Sequence, residues 1–394
     1  MRVNVITKEY PPEIYGGAGV HVAELVSALR AHIDVQVSCF GKTRDEAETV
    51  AFAAPGEFSD SNATIATLAT NLTMVEPAHG SDVVHSHTWY ANAAGHLASL
   101  LHGIPHVITA HSLEPLRPWK AEQLGGGYRV SSWIEKSAYE GAAAIIAVSD
   151  GMRADILRSY PDVDPDKVVT IHNGIDLDAW ARNVDHDVAR TLGIDPDRPT
   201  VIFVGRITRQ KGLPYLLAAC EKLPSDVQIV LCAGAPDTPE IMAEVTSAVA
   251  SLREQRDGVV WIDRMLSRAE LTVALSVSDV FVCPSIYEPL GIVNLEAMSC
   301  GVAVVGTATG GIPEVVVDGV TGRLVPIEQV TDGTGTPVDP EQYVNDLARI
   351  LTEVVTDREL CERYGRAGRE RAEQHFTWSA IAEKTLALYQ RVTA

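Results

Sequence analysis

An α/β protein of two parallel-sheet domains facing a cleft is what this sequence predicts, and three observations carry that reading. The 394 residues exceed what one hydrophobic core usually supports. Short β-branched runs alternate with longer helical patterns from the first residues onward, the rhythm of β-α-β units. That rhythm breaks over a polar stretch from Asn183 to Pro199, which carries Pro196 as well, and then starts again.

In the first half, Val3–Ile6, Val35–Cys39, Val83–His87, His106–Ala110, Ala144–Val148 and Val168–Ile171 read as strands, and His21–Leu29 and Trp133–Tyr139 as helices. In the second, strands are expected at Thr200–Val204, Val227–Cys232, Val259–Trp261, Val280–Val282 and Ala303–Val305. Helices are expected over Leu213–Leu223 and Glu240–Gln255, after Glu288, and from Pro340 onward. The predicted organisation is a Rossmann-like domain at 1–182, a linker at 183–199 and a second Rossmann-like domain at 200–375. A closing helix at 376–394 is expected to cross back onto the first domain. Open α/β sheets bind ligands at the carboxyl ends of their strands, so the cleft is where the chemistry is sought.

Composition narrows the function. A formal net charge of −20 argues against a nucleic-acid backbone as partner, so any anionic ligand needs a locally concentrated positive site. The six scattered cysteines form no C-x-x-C pair and read as reduced core thiols of a cytoplasmic protein. No apolar run approaches the ~18 residues of a membrane span, so no membrane partner is expected.

Four motifs carry chemistry. Tyr15-Gly16-Gly17-Ala18-Gly19 follows the first strand and leads into a helix, where backbone N–H groups can approach a phosphate. A dinucleotide fingerprint needs a further glycine where Val22 stands, which argues against a nicotinamide cofactor. Gly205-Arg206-Ile207-Thr208-Arg209-Gln210-Lys211-Gly212 sets two cations, Arg206 and Lys211, after the first strand of the second half, a pair suited to a diphosphate. The alternative is a solvated basic loop.

The third motif runs from Pro284 to Met298, with Glu288 before a helix and Glu296 about two turns into it. Helix-start N–H groups at Leu290, Gly291 and Ile292 would face an anion, Glu288 would bond sugar hydroxyls and Glu296 ribose hydroxyls. The blander reading is a helix-start carboxylate and a surface glutamate. The fourth is Thr109-Ala110-His111-Ser112-Leu113-Glu114-Pro115, where His111 at a strand end could touch a transferred sugar as neutral imidazole, although a lone histidine is more often structural. Trp89, Arg117 and Lys120 are expected on the acceptor side, the last two equally readable as a surface loop. His85 and His87 read as packing rather than metal ligands, and Asp164-Pro165-Asp166 and Asp195-Pro196-Asp197 as proline turns.

Taken together these motifs resemble the retaining glycosyltransferases of GT-B fold, particularly bacterial glycogen synthases and their shorter actinobacterial relatives that make α-maltose-1-phosphate. The resemblance spans nearly the whole chain. It is most specific at Glu288-x7-Glu296, at Gly205-Arg206-x4-Lys211-Gly212, and at Glu9-Tyr10-Pro11-Pro12 with Gly16-Gly17. The stretch from His111 to Lys120 looks like the shorter relatives and implies ADP-glucose as donor. The resemblance implies transfer of glucose, with retention and without a metal or other cofactor, to α-glucose-1-phosphate or to an α-1,4-glucan end. Arg206 and Lys211 would neutralise the diphosphate, Gly16 and Gly17 would let the chain approach it, His111 and Glu288 would hold the hexose, and Glu296 the ribose. Larger glycogen synthases carry a lysine in the glycine loop; here Ile14-Tyr15 precede the glycines, so that cation is missing. Other readings are a transferase using UDP-glucose or GDP-mannose, a nucleotide-sugar 2-epimerase, a non-catalytic sensor, or a glycoside hydrolase with paired carboxylates. A homodimer is the assembly considered.

Overall fold

Buried β-branched runs with no polar face build two all-parallel sheets in the computed structural model, which describes residues 1–394 apart from the side chains of residues 122 and 123. Contacts divide the chain into one unit of residues 1–174 with 378–394 and another of residues 175–377.

The first unit holds strands β1 (Arg2–Thr7), β2 (Asp34–Phe40), β3 (Thr49–Phe52), β4 (Val83–His87), β5 (His106–Ala110), β6 (Ala144–Ala147) and β7 (Val168–Thr170), in the order β3-β2-β1-β4-β5-β6-β7. The order reverses between β1 and β4, whose register pairs Val3 with Val83 and Ile6 with Ser86. One core lies between this sheet and helix Gly17–Arg30, where Val22, Leu25, Val26 and Leu29 are buried. Helix Trp378–Thr393 packs on that helix, and its Ile381, Leu388 and Tyr389 join the same core.

The second unit holds β8 (Thr200–Arg206), β9 (Gln228–Gly234), β10 (Val259–Ile262), β11 (Val280–Cys283), β12 (Ala303–Thr307) and β13 (Gly322–Val325), in the order β10-β9-β8-β11-β12-β13. Its reversal lies between β8 and β11. The core takes Phe203, Leu216, Leu231, Val245, Leu347 and Leu351 from the sheet and the helices on it.

Every strand expected from the sequence is present. The edge strands β3 and β13 were not expected, because Thr-Val-Ala-Phe and Gly-Arg-Leu-Val are short and half-exposed, without the buried run that marks a central strand. Residues 183–199, read as a linker, lie in the second unit and contain helix His186–Thr191, which Asp185 caps through the N–H groups of Asp187 and Val188. Asp164 and Asp195 make the expected turns, accepting from the N–H groups of Asp166 and Asp197. All six cysteines are buried and unpaired. No helix among the described residues is long and apolar enough to cross a membrane.

Candidate active site

The β8/β11 reversal gathers the charged residues of the second unit. β8 ends on Gly205-Arg206, the chain turns through Arg209–Lys211, and Gly212 takes a left-handed conformation, φ +65°, that brings its Cα against the Pro284 carbonyl. The loop after β11 is tied to this turn by Ile286 N–H donating to the Gln210 carbonyl at 2.9 Å. Lys211 Nζ then reaches Glu288 Oε2 at 2.7 Å, and Ser285 Oγ donates to the same oxygen at 2.9 Å. From the far side, Gly311 N–H donates to the Glu288 carbonyl, again at 2.9 Å.

Burial is the largest influence on the Lys211 ammonium and works against it, but the Glu288 charge, the Cys283 sulfur and the hydrogen bond to Glu288 together hold its pKa above the ordinary lysine value. Arg206, the other expected diphosphate cation, pairs with Asp237 at 2.6 Å. Both cations thus sit beside a carboxylate, and a diphosphate would share each with it. The sequence offered no sign of Asp237, which the fold brings across from 31 residues away.

Gly291, φ +88°, starts helix Ile292–Ser299 without a side-chain cap; its carbonyl accepts from the Asn294 N–H at 3.0 Å, so the N–H groups of Ile292 and Val293 are the ones that can face another acceptor. Leu290 is buried at this junction. Both polar atoms of the buried Asn294 side chain, beside Gly291, have no hydrogen-bond partner among the described residues. Glu296 is the fifth residue of this helix, little more than one turn in rather than the two expected, and is buried; burial pushes its carboxyl up to about 7, with Arg268 and Lys211 pulling the other way.

In the first unit the β1/β4 reversal gathers a second group. His111, after β5, lies with its Nε2 3.1 Å from His87 Nδ1, and the His21 ring stands edge-on to it at 4.7 Å between centroids. One nitrogen from each of His21, His87 and His111 falls within 4.8 Å of the others. Spacing along the chain does not reveal this trio, since its members come from three separate elements. As neutral imidazoles they have the chemistry to hold a transition ion, which would have to replace the His87–His111 hydrogen bond. Burial, reinforced by the neighbouring histidines, holds His111 and His87 well below the usual imidazole value, so both are neutral near pH 7. His85 is a packing residue: Nδ1 meets Tyr389 Oη at 2.6 Å and Nε2 meets Thr109 Oγ1 at 2.7 Å.

Three expectations are placed differently. The Gly16 N–H donates to Glu9 Oε2 at 2.8 Å, and so does Tyr15 N–H at 3.0 Å; a carboxylate already fills the position proposed for phosphate, and only from Gly17 onward does the helix start lie outside that contact. Trp89 is 3% exposed in a cluster with Ala93 and Ile134, because it opens a helix whose apolar side faces inward. Lys120 is buried at 8% exposure. Arg117 Nη1 donates to Ser112 Oγ at 2.9 Å, holding its guanidinium on the loop that carries His111. Beneath that loop Glu135 accepts from Glu114 N–H at 2.8 Å and pairs with the Tyr160 hydroxyl; its carboxyl is pushed upward by burial and by the Glu114 charge.

Comparison with known proteins agrees with this fold. Residues 15–179 match the family described as Glycosyltransferase Family 4, and residues 186–371 match Glycosyl transferases group 1. The chain is 55% identical over 397 residues to the Alpha-maltose-1-phosphate synthase of Mycolicibacterium smegmatis, with both chains covered in full. It is 53% identical over 399 residues, again across both full chains, to the enzyme of that name from Mycobacterium tuberculosis. Among solved structures, the sucrose-phosphate synthase of Thermosynechococcus elongatus superposes with a TM-score of 0.80 at 24% identity, covering 99% of this chain and 98% of that one. On the fold, the placed motifs and these relatives, the chain belongs to the GT-B glycosyltransferases, in the family of the alpha-maltose-1-phosphate synthases.

Proposed function

We propose that this chain transfers the glucosyl unit of ADP-glucose, with retention of anomeric configuration, to α-glucose-1-phosphate, giving α-maltose-1-phosphate and ADP. The full-length identity to the synthases of that name supports the product, and the Lys211–Glu288 pair at the β8/β11 reversal is the structural observation that carries the chemistry. The bond from the glucosyl anomeric carbon to the diphosphate oxygen breaks. A bond from that carbon to an acceptor hydroxyl oxygen forms, and the hydroxyl proton passes to the departing diphosphate. Lys211 and Arg206 neutralise the charge that develops there, a task for preorganised cations rather than a metal. Glu288, steadied by Ser285 and by the Gly311 N–H, holds hexose hydroxyls. His111, neutral and at a strand end, holds the hexose from the first unit, with Arg117 and Lys120 assigned to the acceptor.

Incubation with ADP-, UDP- and GDP-sugars, each with α-glucose-1-phosphate or glycogen, tests the reading by product mass. Maltose phosphate formed from ADP-glucose is the expected product. Extension of glycogen alone moves the acceptor to a glucan end, and donor turnover without any acceptor replaces transfer by epimerisation.

Glu296 adds a pH signature. Its folded carboxyl lies near 7 against an ordinary value of 4.5, so its stabilising contribution is present below 4.5 and lost as pH rises through 7. Wild-type protein is therefore expected to lose on the order of 3 kcal/mol across that window, and Glu296→Gln to lack that component. If Glu296 accepts ribose hydroxyls as a carboxylate, donor affinity rises as pH passes about 7 in the wild type and stays flat in the variant. Parallel pH profiles by calorimetry would remove Glu296 from the donor site.

A further inference from the structure

The crevice between β1 and β4 contains a cation that neither the glycine motif nor the transfer reading has used. Lys8 leaves the carboxyl end of β1 at the reversal of strand order, the position where open α/β sheets take their ligands. Its ammonium stands 3.9 Å from the ring centroid of Tyr90, at the start of the helix after β4. It stands 5.6 Å from that of Tyr15, the residue before Gly16. No carboxylate among the described residues forms an ion pair with it. Glu9, next in the chain, directs its carboxylate to the Tyr15 and Gly16 N–H groups instead.

A half-buried ammonium without a counter-ion is costly unless something else stabilises the charge. Two aromatic faces do so in part, but they leave N–H donors unspent, since an ammonium has three and accepts nothing. Burial lowers the pKa of Lys8 from the lysine value, with the Glu9 charge opposing it, and an arriving anion would favour the charged form further. The crevice is open to solvent on the Tyr15 side, where that ring is 46% exposed. Thr88, between β4 and Tyr90, holds φ +64°, an uncommon and strained conformation for a residue with a β-branched side chain, of a kind that clusters at functional sites.

We propose that Lys8, held by Tyr90 and Tyr15 in the β1/β4 crevice, binds a phosphate oxygen of a substrate and supplies the cation that the Gly16–Gly17 loop lacks. Two ligands carry that chemistry, the phosphate of a sugar-1-phosphate acceptor and the diphosphate of the donor. Only the choice of these two ligands rests on the transfer reading.

The test is titration calorimetry of α-glucose-1-phosphate, ADP and, as an uncharged control, glucose, against wild-type protein, Lys8→Met and Lys8→Arg. Lys8→Met is expected to weaken one phosphate ligand by about tenfold or more, with glucose unchanged and Lys8→Arg close to wild type. The loss should shrink at high salt, as a lost charge contact does and a lost packing contact does not. A loss for α-glucose-1-phosphate alone places the acceptor phosphate at Lys8, and a loss for ADP alone places the donor diphosphate there. Unchanged affinity for both in a Lys8→Met protein of wild-type melting temperature overturns the proposal.

Should Lys8→Met fail to fold, the ¹³Cε signal of Lys8 in wild-type protein, titrated with the same three ligands, decides. A shift with a phosphate ligand and none with glucose supports the site, and no shift overturns it. Normal glucosyl transfer with both KM values unchanged in Lys8→Met leaves the transfer reading standing without this site. Loss of phosphate affinity in a protein that turns over no nucleotide sugar leaves this site standing without the transfer reading.

Discussion

Lys211→Ala is expected to lower kcat/KM by roughly 10²- to 10⁴-fold, the largest loss of any single substitution in the second unit. Two effects combine. On the proposed mechanism the variant removes a cation aimed at the diphosphate, and it strands Glu288, whose side chain is only 8% exposed, beside an unfilled space. Breaking a buried pair from one side costs up to about 3–5 kcal/mol, so the melting temperature should fall as well. The double variant Lys211→Ala/Glu288→Gln separates the two effects: it should recover much of the stability, because no buried charge is left alone, and none of the activity. Activity that returns together with stability would show that Lys211 only supports the fold. Near-wild-type kcat/KM in Lys211→Ala would remove it from the mechanism altogether.

Gly212→Ala should be among the most damaging single methyl groups in the second unit. At φ +65° an L side chain is strained by about 1 kcal/mol or more, and here the new Cβ also meets the Pro284 carbonyl, a backbone atom with no rotamer to change. A loss of about 3–5 kcal/mol is expected, measured by denaturant midpoint. Activity should fall further than folding alone explains, because the displaced loop carries Ser285 and Glu288. Gly319→Ala is the control. Its φ of +72° imposes the same strain but its Cβ meets nothing within 4 Å, so about 1 kcal/mol should be lost and activity kept. Equal losses at the two positions would mean that the carbonyl contact is unimportant.

The central strands were legible because each is a buried β-branched run whose only stable partner is another such run. The motifs that end them were legible for a related reason: a glycine or a charged residue directly after a buried strand marks the carboxyl edge of a parallel sheet. The assignments that moved depended on side-chain partners and packing that hydrophobic period does not show. The Gly16 N–H is taken by Glu9, Trp89 faces inward because of the helix it begins, and Arg206 is met by Asp237 from the loop after β9.

By itself the sequence determined that this is a doubled α/β protein with its glycine and charged motifs at strand ends, since hydrophobic period and glycine placement are local properties that any fold of this chain must satisfy. Only the tertiary structure decided which charges meet: Lys211 with Glu288, Arg206 with Asp237, three histidines within one cluster, and Lys8 between two tyrosine rings. Electrostatic partnership depends on distances of a few ångströms, and parallel sheets set those distances between residues that the intervening helices keep tens of positions apart in the chain.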